Sequence, residues 1–208
     1  MDILSHSDTD FFLTGGTALS RAYYHHRYSD DLDFFLNQSQ TYDEQLDKVF
    51  ALLRENGFIW STEIEFTRAK DFTTFKVGKN SDFVLKLDFV NDLVPLFGKI
   101  TKTDLFYRTD SIRNILSNKL TALTRLEGKD VADIREITLH ETIDWSTIIR
   151  EARQKEAGLD FTYIADILTS IPQSIFETIA WTKKPDWQEF RNDIDRIAYE
   201  MMSGEKIC

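Results

Sequence analysis

The chain has 208 residues, of which 42% are apolar and 13% aromatic, and it carries 25 Lys and Arg against 35 Asp and Glu, a net charge of −10. This content of apolar residues excludes a disordered chain, and no run approaches the roughly 20 apolar residues of a membrane-spanning helix. The acidic balance argues against a protein that coats nucleic acid nonspecifically. The single cysteine, Cys208, excludes a disulfide framework, and the first residues lack the features of a signal peptide. We therefore expect a cytoplasmic protein without a membrane partner.

The first predicted elements are a short strand over residues 11–14, a glycine turn and a helix over residues 18–26. The turn contains Gly15, Gly16 and Thr17. Backbone N–H groups at the start of a helix bind phosphate, and glycine has no Cβ to block close approach. A glycine pair at a turn also has a purely structural interpretation. P-loop and Rossmann sites are excluded, since their motifs are absent from the sequence.

The next predicted strand, residues 31–36, carries two acids on one face. Alternation places Asp31 and Asp33 on one side of the strand, and Leu32 and Phe34 on the other. Two carboxylates this close repel each other unless a cation lies between them, and Mg²⁺ prefers oxygen ligands. The alternative is a solvated edge strand, but the apolar residues that follow favour a covered sheet.

A helix is predicted over residues 42–56. Thr41 is the expected N-cap, with Glu44 completing a capping box, and Gly57 suits the position after the C-cap. The apolar stripe of this helix consists of Leu46, Val49, Phe50 and Leu53.

Three further strands are predicted, over residues 61–68, 72–77 and 83–90. In the third strand, Lys86 and Asp88 share the less apolar face. Asp88 is thus a candidate third carboxylate with Lys86 as a neutralising neighbour, and a simple surface ion pair is the alternative. Three carboxylates on strands, together with a glycine-rich helix start, are the components of two-metal phosphoryl transfer.

From residue 110 onward the pattern is helical, so we predict a mixed α/β domain over residues 1–105 and an all-helical domain over residues 106–208. Lys119 lies in the middle of an apolar helical stripe, so it must point into a cleft, find an anion or extend to the edge of its helix. Asp133 and Lys129 lie one turn apart and could pair. The alternative is that Asp133 orients a lysine in a cleft or contacts metal-bound water.

Several of these motifs together resemble the AbiEii/AbiGii toxin family, within the DNA polymerase β-type nucleotidyltransferase superfamily. The resemblance rests on FLTGGTAL at 12–19, RYSDDLDFF at 27–35, KLTAL at 119–123 with Arg125, and Lys129-Asp130 with Asp133. It implies an α+β fold, with a nucleotidyltransferase-type mixed sheet, flanking helices and an all-helical C-terminal domain.

The resemblance also implies roles for individual residues. Gly15, Gly16 and Thr17 would hold the triphosphate of an NTP, and Lys119 would bind the nucleotide phosphates. Asp31 and Asp33, with Asp88 as the assigned third carboxylate, would hold two Mg²⁺ ions, and Asp133 would be a further active-site acid. We accordingly list Asp31, Asp33, Asp88, Lys119 and Asp133 as candidate catalytic residues.

The function that we expect is Mg²⁺-dependent transfer of NMP from an NTP to the end of an RNA, with tRNA as the acceptor. The protein would act as a toxin of a toxin–antitoxin or abortive-infection system, with a cognate antitoxin as a partner. The alternatives are transfer to a protein hydroxyl and a module that binds NTP without turnover. A basic strip could face the RNA, formed by Arg108, Arg113, Lys119, Arg125, Lys129 and Arg135.

Overall fold

The computed structural model describes residues 1–61, 65–80 and 85–205. Its fold is α+β, with one mixed β-sheet and a set of helices that dominates the second half, which confirms the predicted fold class.

The chain divides into two compact units. The sheet unit comprises Met1–Tyr23 and Ser29–Ser111, and the helical unit comprises Tyr24–Tyr28 together with the chain from Ile112 onward. The sequence placed the division at residue 105, whereas the sheet unit extends to Ser111. The five residues 24–28 belong to the helical unit although they lie within the first half of the chain.

The described residues of the sheet unit form five strands: β1 (Phe12–Thr14), β2 (Asp31–Asn37), β3 (Thr67–Ala69), β4 (Phe72–Val77) and β5 (Leu85–Asp92). Their order in the sheet is β1-β2-β5-β4-β3, with β2 and β5 parallel and the other neighbours antiparallel. Of the predicted strand residues, 62–64 and 83–84 lie outside the described part of the chain.

The glycine turn opens a helical segment that is shorter than predicted. Helix α1 covers Gly15–Thr17 and continues as a π-helix over Ala18–Tyr23, instead of reaching residue 26. The reason is tertiary pairing, because the backbone of residues 26 and 28 hydrogen-bonds to the segment around residue 181 within the helical unit.

Helix α2 (Tyr42–Glu55) covers one face of the sheet. Its predicted apolar stripe is buried, and the ring of Phe50 lies 5.0 Å from that of Phe75 on β4. Gly57 follows the helix at φ +77°, as predicted. The predicted capping box is wrong, because the Thr41 side chain makes no capping bond and its hydroxyl accepts a hydrogen bond from Gln45 instead.

The helical unit contains six α-helices in its described residues: α3 (Ile112–Ala122), α4 (Gly128–His140), α5 (Trp145–Lys155), α6 (Phe161–Ser170), α7 (Gln173–Thr178) and α8 (Trp187–Glu205). Asp144 and Asp160 cap α5 and α6 by accepting hydrogen bonds from backbone N–H groups. None of the described helices combines the length and the apolar content that crossing a bilayer would require.

Candidate functional site

The glycine turn lies directly against an acid of β2. Gly15 has φ +67°, a conformation that L side chains rarely adopt, and a Cβ added there would lie 2.3 Å from Oδ2 of Asp33. The pairing of β1 with β2 brings the two together, since Thr14 is the register partner of Asp33. Gly15 is therefore required both by its backbone conformation and by the approach of a carboxylate.

Thr17 plays a structural part in this turn. It is fully buried, and its hydroxyl donates to the carbonyl of Asp31 and lies 3.0 Å from the hydroxyl of Ser29. The side chain thus ties the helix start to the first residue of β2.

The predicted carboxylates share one face of the sheet. Residues of β2 alternate between half-buried and buried, so that Asp31 and Asp33 lie opposite Leu32 and Phe34, as predicted. The parallel register pairs Asp33 with Asp88 on β5, at a strand spacing of about 4.8 Å. The sheet thus places on one face the three acids that the sequence singled out.

Both carboxylate oxygens of Asp88 have hydrogen-bond partners within the protein. Its Oδ1 accepts a hydrogen bond from the hydroxyl of Thr74 on β4, and Nζ of Lys86 lies 2.7 Å from its Oδ2. The same ammonium lies 3.8 Å from Oδ2 of Asp31. Burial alone would lower the pKa of Lys86, but the hydrogen bond and charge of Asp88, with the charges of Asp31 and Asp33, outweigh it and raise the pKa above its usual value.

Asp31 and Asp33 fit a divalent cation in their donor chemistry, because carboxylate oxygens are ligands that Mg²⁺ prefers. Within residues 1–61, 65–80 and 85–205, no three His, Cys, Asp or Glu side chains gather closely enough to hold a metal ion. A metal triad that includes Asp88 therefore stays a prediction.

A second polar cluster lies in the helical unit around Asp133, which is fully buried on α4. Its carboxylate accepts hydrogen bonds from Nε2 of His26 at 2.8 Å and from Nε and Nη2 of Arg27, both at 2.7 Å. Nζ of Lys119 on α3 lies 2.7 Å from its Oδ2. Burial would raise the pKa of Asp133, but Lys119, His26 and Arg27 outweigh it and hold this pKa far below its usual range.

Of the alternatives predicted for Lys119, pairing with anions matches the structure. It is 8% exposed, and its ammonium contacts Asp133 and, at 2.6 Å, Oδ1 of Asp130. Burial would lower the pKa of Lys119, but the charges of Asp133 and Asp130 outweigh it and raise the pKa. Of the two alternatives for Asp133, orienting a lysine matches the structure, whereas Lys129 pairs with Glu127 at 2.8 Å.

Sequence reasoning missed the partners of Asp133. His26 and Arg27 are 7% and 5% exposed, and they precede Asp133 by more than one hundred residues, so no local spacing relates them. The available signal was indirect, since a lysine inside an apolar stripe needs buried carboxylates, and these in turn need further donors.

Two of the six residues of the predicted basic strip are buried. Lys119 and Arg135 are buried, and Arg135 is held by Asp193 at 2.7 Å. The other four residues each have a carboxylate nearby: Arg108 pairs with Asp10, Arg113 with Glu151, Arg125 with Asp130 and Lys129 with Glu127. The helical pattern showed which residues share a face, but not which acids of other elements neutralise them.

Comparisons with known proteins agree with this architecture. The family model described as nucleotidyl transferase AbiEii toxin, type IV TA system, matches residues 2–198. A comparison with curated proteins found no match. Among solved structures, the chain is similar to JHP933 from Helicobacter pylori, with 19% identity, a TM-score of 0.61, and coverage of 98% of this chain and 89% of that one. It is also similar to MenT4, a nucleotidyltransferase toxin from Mycobacterium tuberculosis, with 14% identity, a TM-score of 0.60, and coverage of 93% and 75%.

At these identities the solved structures show the fold, whereas the family model spans nearly the whole chain. The protein therefore belongs to the family of AbiEii nucleotidyl transferase toxins of type IV toxin–antitoxin systems, and it is a nucleotidyltransferase.

Proposed function

We propose that the protein transfers a nucleoside monophosphate from an NTP to the end of an RNA, with tRNA as the acceptor, in a cytoplasmic reaction that depends on Mg²⁺. The observation that carries the proposal is the acidic face of the sheet: Asp33 and Asp88 are register partners, Asp31 shares their face, and Gly15 lies against Asp33. Carboxylates beside a glycine turn suit a nucleotide whose phosphates are neutralised by a divalent cation.

In the proposed reaction, a hydroxyl oxygen of the acceptor forms a bond to the α-phosphorus of the NTP. The bond from that phosphorus to the oxygen bridging to the β-phosphorus breaks, pyrophosphate leaves, and the hydroxyl proton passes to a carboxylate of the acidic face. Mg²⁺ bound at Asp31 and Asp33 would neutralise phosphate charge and make the attacking hydroxyl more acidic. The backbone N–H groups of Gly15 and Gly16 would position the triphosphate.

We propose that Lys119, on α3, binds the nucleotide phosphates. Asp133 acts through it as a positioning residue, since all of its contacts are to cationic or N–H groups and it is fully buried. Asp130 contacts the same ammonium from α4. Two buried carboxylates hold the lysine in one orientation, which removes the entropy cost of ordering its side chain when a nucleotide binds.

The test is incubation of the purified protein with Mg²⁺, each α-labelled NTP in turn and total tRNA. We expect label on RNA, and its loss in the variants Asp31→Asn and Asp33→Asn. Asp30→Asn is the matched control, because Asp30 is exposed, adjacent in sequence and outside β2. Label on RNA that persists in both variants would refute the role of the acidic face.

One observation favours a second acceptor. Two of the residues predicted to face RNA, Lys119 and Arg135, are buried, which weakens the basic strip that an RNA acceptor would use and leaves a protein hydroxyl as the alternative target. Mass spectrometry of a partner protein distinguishes the two, since nucleotidylation adds the mass of one NMP. Binding of NTP without consumption, followed by calorimetry, would indicate a module that does not turn over its ligand.

The proposed biological partner is a cognate antitoxin. We expect expression of the wild-type protein to inhibit growth, and co-expression of the antitoxin to relieve the inhibition. The variant Asp33→Asn should express without inhibiting growth, whereas growth inhibition equal to that of the wild type would separate toxicity from transfer.

A further inference from the structure

A buried aspartate lies beside the glycine turn, in the segment that borders the outer edge of β1. Leu13 of β1 donates its backbone N–H to the carbonyl of Arg108, and its carbonyl accepts from the N–H of Asp110, both at 2.8 Å. This segment runs along the edge of β1 that does not pair with β2. The backbone therefore brings Asp110 alongside Thr14, the residue that precedes the turn.

The side chain of Asp110 adds a second tie to β1. It is 0% exposed, and its Oδ2 accepts a hydrogen bond from the hydroxyl of Thr14 at 2.6 Å. Hydroxyl donors lie about 2.5–2.7 Å from an ionised carboxylate, and such bonds are roughly twice as strong as bonds between neutral groups. The other oxygen accepts from the backbone N–H of Ser111 at 2.7 Å. Both oxygens of this buried acid thus have donors, as the burial of a carboxylate requires.

The backbone carbonyl of Asp110 holds the far side of the turn. The hydroxyl of Tyr23, the last residue of the π-helix that follows the turn, donates to this carbonyl at 2.6 Å. Burial, the largest cause, and the charge of Asp110 raise the pKa of this hydroxyl despite a hydrogen bond with Thr101, so it remains a donor at neutral pH. One residue therefore hydrogen-bonds to the strand before Gly15 and to the helix after it.

The position of the turn has little tolerance for movement. Gly15 follows Thr14 directly, and Thr14 is the register partner of Asp33. A Cβ on Gly15 would meet Oδ2 of Asp33 at 2.3 Å, so the backbone of the turn and this carboxylate are already in close contact. A misplacement of about 1 Å can cost on the order of 100-fold in the rate of an enzymatic reaction.

We infer that Asp110 is a positioning residue for nucleotidyl transfer, which fixes the glycine turn against Asp33 by accepting the hydroxyl of Thr14. This inference rests on the proposed function, in which the turn and Asp33 hold the nucleotide and its metal ion. Because Asp110 is fully buried, it acts on the reaction through Thr14 and not by contact with a substrate.

The test compares two variants of the full-length protein that each lose one buried hydroxyl. Thr14→Val removes the donor to Asp110, whereas the control, Thr109→Val, removes a hydroxyl that bonds with Thr103 and Phe106 instead. The two threonines are 2% and 0% exposed, so the substitutions are matched in burial and in chemistry. Circular dichroism establishes that each variant is folded.

The first measurement is hydrogen exchange followed by mass spectrometry, which reports the local stability of residues 15–23. Exchange there should be on the order of tenfold faster in Thr14→Val than in Thr109→Val, because only the first change cuts a tie to the turn. Thr14→Ser keeps the hydroxyl and should restore slow exchange.

The second measurement is transfer from the four α-labelled NTPs to total tRNA in the presence of Mg²⁺. Transfer should fall by on the order of tenfold or more in Thr14→Val, stay close to the wild-type rate in Thr109→Val and recover in Thr14→Ser. Asp110→Ala breaks the same bond from its other side. Combining it with Thr14→Val should therefore lower transfer no further than the more severe of the two single changes.

The outcomes distinguish this inference from the proposed function. Equal exchange of residues 15–23 in Thr14→Val and Thr109→Val would overturn the tie through Thr14, and faster exchange with wild-type transfer would overturn its role in the reaction. Both results leave the proposed function standing. If the wild type labels no RNA, the proposed function fails instead, and hydrogen exchange still decides whether Asp110 fixes the turn.

Discussion

Replacing Asp133 by asparagine tests whether this acid holds the helical unit together. The substitution keeps the size and shape of the side chain and removes its charge. One oxygen can still accept hydrogen bonds from His26 or Arg27. The new amide NH₂ would instead face Arg27 and Lys119, which are themselves donors.

The magnitude follows from burial and from the number of partners. Asp133 is 0% exposed, and four nitrogen atoms lie within 2.8 Å of its oxygens. Removing one partner of a buried ion pair costs about 3–5 kcal/mol, because the remaining charge stays buried without compensation. For a chain of this size unfolding in one step, this corresponds to a fall in Tm of about 6–20 °C.

The assay is urea unfolding at pH 7, followed by circular dichroism, with Asp195→Asn as the matched control. Asp195 is exposed on α8 and pairs with Arg191 at 3.1 Å, so its removal should cost less than about 0.5 kcal/mol. A loss of unfolding free energy below about 1 kcal/mol in Asp133→Asn would refute the reasoning. Such a loss would show that the four donors around this buried acid contribute far less than a buried ion pair does.

Three further predictions concern pH, the glycine turn and Lys119. Because the pKa of Asp133 is depressed in the folded state, the carboxylate stabilises the protein above its unfolded pKa of about 3.9, and this stabilisation is lost as the pH falls. The difference in unfolding free energy between wild type and Asp133→Asn should thus be constant from pH 6 to 8 and shrink below about pH 4. A constant difference down to pH 2 would contradict this. Gly15→Ala should reduce nucleotidyl transfer by on the order of 100-fold, since its Cβ would displace the Asp33 carboxylate. The control Gly57→Ala, with the same sign of φ and no atom within 4 Å of the added Cβ, should lose about 1 kcal/mol of stability and no activity. Equal activity in the two variants would show that the clash is relieved elsewhere. Lys119→Met combined with Asp133→Asn should cost at least about 1 kcal/mol less than the two single changes added together, measured as a double-mutant cycle, and additivity would show that the two residues do not interact.

Features of the site that depend on local spacing could be predicted from the sequence. The two acids of β2 share a face because strand periodicity is two, and the burial pattern follows that alternation residue by residue. The glycine turn and the stripe of α2 are local in the same sense. An anion was one of the predicted alternatives for Lys119, because its place on a helical wheel depends on a few neighbours only.

Features that depend on long-range pairing could not be predicted. The position of Lys86 beside Asp31 requires knowledge that β5 runs parallel to β2 in one particular register. The contacts of Asp133 with His26 and Arg27 join segments 107 and 106 residues apart. The helix predicted to reach residue 26 ends at Tyr23 for the same reason, since residues 26–28 pair with a distant segment of the helical unit.

Asp31 and Asp133 differ in what surrounds them, and this difference supports different roles for the two acids. Asp31 is 43% exposed and meets Lys86 only at 3.8 Å, so its oxygens have capacity left for a ligand. Asp133 is buried, and each of its oxygens already has two close donors. A carboxylate in the first condition can exchange partners during a reaction, whereas one in the second would have to break several charge-assisted hydrogen bonds to do so. Substitutions in β2 should therefore reduce transfer without unfolding the protein, and substitutions at Asp133 should reduce transfer only through stability and the orientation of Lys119.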